Sequence, residues 1–246
     1  MARMPSGRIT LCALALSLAG LTAVPAAIAE NHARLGGKIT PVLRAFPKNP
    51  QPAALFISLG FTGDDGNPPS VLQRAVIQFP YGSQLNGRLF PSCDPKALAD
   101  KGVKGCAKGS KIGGGTAIGT AADIREEIKV TLFNGQKGKS IVFYLQGDNP
   151  VILNVPWASP LEQYSTGLWN FKLTVDVPEI LQRIVGLDVA IEDFSVKVNG
   201  TRRVNGRKRG YLETEICPPG ALIPMRGTFS FLDAPDLVKD SYLSCG

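Results

Sequence analysis

Two neighbouring stretches, "EEIKVTLFN" (126–134) and "SIVFYLQG" (140–147), flank the connection "GQKGK". Ile128, Val130 and Leu132 alternate with polar partners, which is the period of a half-buried strand. A short glycine-containing connection between two such runs predicts a hairpin. The pattern recurs in "ALFISLGF" (54–61), "VLQRAVIQF" (71–79), "FKLTVDV" (171–177), "LDVAIEDFSVKVNG" (187–200), "YLETEI" (211–216) and "MRGTFSFLDA" (225–234). The 27 glycines and 19 prolines fall mainly between these runs. About nine or ten strands without a β-α-β alternation predict an all-β chain. The expected architecture is an antiparallel β-sandwich, immunoglobulin-like or jelly-roll-like, in a single domain. Two segments have helix chemistry. "DPKALADKG" offers Asp94 as cap and Pro95 in the first turn, and "DVPEILQRIVG" offers Asp176, Pro178, Glu179 and Gly186.

The first residues set the compartment. Arg3 and Arg8 precede an apolar run from Ile9 to Ala19, and Ala27-Ile28-Ala29 fits a small-x-small cleavage site. Residues 1–29 therefore read as a secretory signal peptide cleaved after Ala29, carrying Cys12 away. The run is too short for a spanning helix, which needs roughly 20 apolar residues, so no transmembrane helix is expected after cleavage. Residues 30–246 form the expected domain, with 30–36 disordered. Loss of Arg3 and Arg8 leaves 25 Lys+Arg against 20 Asp+Glu. That mild excess leans towards anionic partners and does not imply nucleic acid.

Four cysteines remain: Cys93, Cys106, Cys217 and Cys245. An even count in an exported chain reads as a disulfide framework with three possible connectivities. Local pairing, Cys93 with Cys106 and Cys217 with Cys245, suits two separate loops. Zinc favours closer cysteine spacing with histidine help, and His32 is the single histidine. No metal and no cofactor are expected.

The stretch "FPSCDPKALADKGVKGCAKGSKIGGGTA" resembles a pattern of uncharacterised exported proteins of actinobacteria. The tail "VNGRKRGYLETEICPPG", then "GTFSFLDA" and a final Cys, is similar to the same group, as are "GNPPSVLQRAVIQFPYG" and "LNGRLFPSC". The chain departs from the group at Ile223-Pro224-Met225, where a Trp often follows the penultimate Cys. The resemblance implies a secreted, β-rich protein with two disulfides and no established activity.

Candidate chemistry is sparse. His32 lies next to the expected new terminus, which argues against histidine-dependent nucleophilic catalysis. Glu213 and Glu215 share one strand face at the spacing of a glycosidase carboxylate pair, but a solvated strand face explains them as well. "KGSKIGGGTAIGT" (108–120) lacks the order of a phosphate loop, and its glycines suit a bulged strand. "TGDDGN" reads as a turn rather than a calcium loop. Trp157, Tyr164 and Trp169 lie close together and are candidates for ligand binding by stacking. Arg202, Arg203, Arg207, Lys208 and Arg209 surround an Asn-Gly turn and are candidates for docking anionic glycan or lipid headgroups.

The sequence thus leads to a secreted or envelope-associated protein with a structural or ligand-binding, non-catalytic role. Its partners would be cell-wall glycan or anionic envelope lipid. Two alternatives stand beside it: a carbohydrate-active enzyme using a carboxylate pair, and a carrier of lipid or another apolar ligand in a cavity between the sheets.

Overall fold

The computed structural model describes residues 30–43, 50–122, 124–148, 150–215 and 217–246. The signal-peptide reading of residues 1–29 lies outside them. In chain order the first strands are β1 (His32–Thr40), β2 (Gln51–Thr62), β3 (Leu72–Pro80) and the short β4 (Ser83–Leu85). Helix α1 (Pro95–Lys101) precedes β5 (Lys111–Ala121), β6 (Ile124–Asn134) and β7 (Ser140–Gly147). Next come β8 (Leu153–Thr166), β9 (Trp169–Asp176) and the single turn α2 (Glu179–Gln182). The chain continues through β10 (Arg183–Ile184), β11 (Leu187–Val198), β12 (Thr201–Val204) and β13 (Arg207–Gly210). It closes with β14 (Leu212–Thr214), β15 (Leu222–Phe231) and β16 (Ala234–Cys245).

Eleven of these strands form one closed ring, in the order β11-β5-β6-β7-β8-β9-β3-β15-β16-β1-β2. The ring shuts because β2 pairs back onto β11, from Leu55↔Val198 to Gly60↔Asp193. This corrects the expected β-sandwich: the structure is an eleven-stranded β-barrel, not two stacked open sheets. Neighbours are antiparallel throughout except β1 and β16, which run parallel at Gly37↔Leu243. That parallel seam joins the first strand to the last, a contact no hairpin can supply. Of residues 30–36, expected to be disordered, 32–36 lie in β1, where His32 is in register with Thr62. Main-chain pairing of residues 32–36 with β2 outweighs the small and polar composition of the segment.

Alternation sorts each stave into an inner and an outer face. Leu55, Ile57, Leu59 and Phe61 of β2 point inward, as do Ile128, Val130 and Leu132 of β6 and Ile141, Phe143 and Leu145 of β7. The glycine-rich stretch is β5, with a bulge between Lys111 and Gly113. Here the staves approach unusually closely. A Cβ on Gly115 would stand 1.9 Å from the carbonyl oxygen of Ser195, and one on Gly113 would stand 2.1 Å from that of Lys197. These glycines are spent on backbone approach to β11, next to the strand pair that shuts the ring.

Outside the wall, Asp94 caps α1 by accepting from Lys96 N–H at 2.9 Å. The buried Leu98 then packs on Phe133, Val142 and Tyr144, and the Cys93–Cys106 disulfide closes the loop. The second disulfide, Cys217–Cys245, ties the segment after β14 to the end of β16. Both local pairings expected from the sequence are present. The second helix is only one turn, because the chain leaves it directly into β10 and the Val185-Gly186 reversal. Among the described residues, no helix is long and apolar enough to cross a membrane.

Substituting Gly115→Ala forces β5 and β11 apart, since the added methyl meets backbone rather than a movable side chain. It should cost at least about 3 kcal/mol in urea unfolding. Gly36→Ala, whose Cβ would lie 3.8 Å from Ser58 Oγ, should stay within about 0.5 kcal/mol of the parent.

Candidate functional site: an apolar cavity with a split wall

The inner faces do not fill the barrel. They enclose a space in which the centre of a water-sized sphere ranges over about 140 Å³, an order of magnitude more than a single water needs. Its lining is almost wholly aliphatic and aromatic. Leu59, Leu132, Phe143, Leu173 and Phe194 come from five staves, and Leu181 of α2 reaches in from one end. At the other end stand Tyr211, Leu212 and Leu243. A polar or charged solute would lose its hydration here with nothing in exchange, so the cavity selects for apolar matter.

The ladder between β8 and β9 is incomplete. Residues 153–160 of β8 pair with β7, from Leu153↔Gly147 to Pro160↔Ser140. The ladder between β8 and β9 begins only at Leu161↔Leu173 and runs to Thr166↔Trp169. Beyond Leu173, β9 pairs with β3 alone, as far as Asp176↔Arg74. The first half of β8 and the second half of β9 are therefore unjoined. The reason lies in two prolines. Leu161 N–H donates to Lys139 O at 2.9 Å across β7, so by alternation the even-numbered residues of β8 turn their main-chain groups towards β9. Pro156 and Pro160 occupy two of those positions and have no N–H to give. Trp157 flanks the unpaired stretch on one side, Val175 and Val177 on the other, and all three line the cavity.

The aromatic candidates are separated by the wall. Trp157 lies inside, its ring stacked on Phe143 with centroids 5.1 Å apart. Tyr164 and Trp169 belong to the outer surface. Gln78 donates to the Tyr164 hydroxyl, Lys172 sits over the Tyr164 ring, and Arg226 sits over Trp169 with its guanidinium carbon 5.7 Å from the centroid. They make no common stacking ledge. In the basic group, Arg202, Arg203, Arg207 and Lys208 are exposed on the β12–β13 hairpin around the Asn205-Gly206 turn. Arg202 donates to Leu89 O, and Arg203 reaches Gly206 O at 3.5 Å.

Arg209 is differently employed. Its Nε and Nη2 each donate to one oxygen of Glu213 at 2.9 Å, and Gly210 N–H donates to the same carboxylate at 3.0 Å. Glu213 was expected on a solvated face but is 1% exposed. Its strand β14 is sandwiched in register between β2 and β4, which covers it. Burial pushes the Glu213 carboxyl up, but the hydrogen bonds from Arg209 and Gly210 and the Arg209 charge outweigh it, and the net shift is downward. A carboxylate locked in this way is not free to act as a glycosidase acid or nucleophile beside Glu215.

The aliphatic lining is the candidate site whose residues sequence reasoning did not single out. Alternating apolar residues announce an inner face, and the same letters serve a filled core and an open cavity. The prolines of β8 were the only available signal of an incomplete ladder.

Fold and site together define a closed, apolar-lined β-barrel in which the first half of β8 is not paired to β9. No protein-family model matches the chain, and no curated protein and no solved structure matches it either.

The Glu213 shift has a definite pH consequence. A carboxyl depressed in the folded state stabilises fully above its unfolded value, about 4.3, and the contribution fades as pH falls through the folded value. Glu213→Gln should lower stability by about 2 kcal/mol at neutral pH, because it removes the charge-assisted hydrogen bonds that the partly exposed Arg209 makes to this buried carboxylate. Denaturant titrations should show that difference shrinking below about pH 4.

Proposed function

We propose that this chain is an exported, non-catalytic carrier of a lipid or similarly apolar molecule, held inside the barrel and acting at or beyond the cell envelope. One observation carries the reading: an enclosed space lined by aliphatic and aromatic side chains, with an unpaired stretch of wall beside it. A chain needing only a stable scaffold gains from filling such a space, since voids in apolar cores cost stability. Export is supported by the leader-like residues 1–29 and by two disulfides, which persist in oxidising compartments. The basic tip of Arg202, Arg203, Arg207 and Lys208 suits an anionic envelope partner, glycan or lipid headgroup, as a second contact.

The ligand should report itself through Trp157. The chain has two tryptophans, and Trp169 is outside the wall. In a Trp169→Phe variant, a brominated long-chain fatty acid should quench the remaining emission in a saturable way. Ala117→Phe and Ala117→Leu add volume at a cavity-lining position and should weaken that binding tenfold or more while circular dichroism stays unchanged. Native mass spectrometry of protein recovered from an exporting host should show a co-purifying apolar molecule. Absence of both quenching and adduct refutes the carrier reading.

A further inference from the structure

The end of the barrel that α2 covers carries an unusual set of exposed residues. Ile124 sits at the β5–β6 turn, Ile152 on the loop before β8, Ile180 on α2, and Val185 and Leu187 on the β10–β11 hairpin. Their exposures are 53, 81, 58, 95 and 46% respectively. The topology brings them together. Ile124 is in register with Ala121, Ala121 with Val189, and Leu187 with Ile184. Gly147↔Leu153 closes the neighbouring hairpin at the same end. Ile152 and Ile180 lie on the two sides of the split between β8 and β9, while Leu181, next to Ile180, lines the cavity.

Val185 supplies an independent observation. It has φ +51°, and Gly186 after it has φ +80°. A two-residue hairpin with both angles positive favours Asn-Gly, and β-branched residues are disfavoured there. The same chain uses that solution at Asn205-Gly206, with φ +50° and +75°. At 185 it places a valine that is both strained and the most exposed of the large apolar residues described. Folding gains nothing from this choice. A residue that costs stability and faces outward points to an external apolar contact.

The structure assigns this end as a docking surface for a lipid bilayer, from which the ligand passes through the split beside α2. The assignment rests on the carrier reading for its purpose, but not for its test. A bilayer is favoured over a second protein because the aliphatic residues sit on separate projecting turns, as interfacial anchors do, and not on one flat face. The arginines here are already matched, Arg125 to Glu192 at 3.2 Å and Arg183 to Asp188 at 2.8 Å. Contact with headgroups therefore strands neither of these cations. Glu127, Asp148 and Glu179 are exposed at the same end, so the surface suited to it is zwitterionic, not anionic. That separates it from the basic β12–β13 tip, whose attraction would be to anionic lipid and would fade with salt.

The test is co-sedimentation of the mature protein with phosphatidylcholine vesicles. The parent should partition onto them equally at low and high salt. A triple variant, Ile152→Ser, Ile180→Ser and Val185→Asn, should lose at least tenfold in partition while keeping its fatty-acid affinity in vesicle-free solution. Val185→Asn alone should raise the melting temperature slightly while weakening partition, because Asn suits the turn; this keeps the test valid should the triple variant fold poorly. Equal partition of parent and variants overturns the proposal, as does no partition of the parent or a parent that dimerises through this end. Partition without any soluble fatty-acid binding leaves the docking surface standing and removes the carrier reading.

Discussion

Everything distinctive about this molecule depends on β2 finding β11. Without that ladder the eleven strands would form an open sheet with two raw edges, a form natural proteins avoid or cover. With it, every stave acquires neighbours and the inner face becomes a closed compartment. Closure also dictates size. Eight strands enclose an interior that side chains just fill, and the radius grows with strand number. At a spacing of about 4.8 Å and a tilt of about 40°, eleven strands give a radius of roughly 11 Å. No helix threads this barrel among the described residues, so a single inward layer of Leu, Ile and Phe leaves space behind. The cavity is a consequence of strand count before it is a feature of any residue.

The two ends are built differently. At one, Tyr211 packs edge-on to Phe90 with centroids 5.4 Å apart, Arg209 holds Glu213, and Cys217–Cys245 fastens the last strand. Leu43 N–H donates to Cys217 O at 2.7 Å, tying in the chain that links β1 and β2. At the other end the cover is a single helical turn, with one buried residue, Leu181, beside an unpaired stretch of wall. Opening free energies follow buried contacts and main-chain bonds, so local opening belongs to the second end. The barrel is a rigid cup with a lightly held lid.

Much of the strand inventory was legible because it rests on local period. The β6–β7 hairpin, the helix capped by Asp94, the bulged glycine strand and both disulfides follow from neighbouring residues and appear as expected. What was not legible is non-local. Whether β2 ends as a sandwich edge or pairs with a strand some 140 positions later leaves no mark in "ALFISLGF". β8 was missed because Pro156 and Pro160 break the strand signal, and the structure accommodates them by leaving that side unpaired. β1 was missed because "HARLGG" offers little alternation, and its order comes from β2 along its whole length and from β16 only from Gly37 onward. Glu213 looked like one more polar residue in an alternating strand. Its burial is set by β4 and β2, which lie far from it in sequence.

Where a chain departs from its own local rules, function is the first explanation to weigh. Three departures coincide here. The interior is left unfilled, two prolines hold β8 off β9, and a valine occupies a turn position that the same sequence elsewhere gives to asparagine. Each costs stability, and each alone could be tolerated as an accident. Yet they lie along one line: the cavity, the split that leads to it, and the apolar turn beside the split. Their alignment at the end closed by α2 is what the proposed route for an apolar molecule would require, from a membrane surface past the unpaired stretch of β8 to the interior.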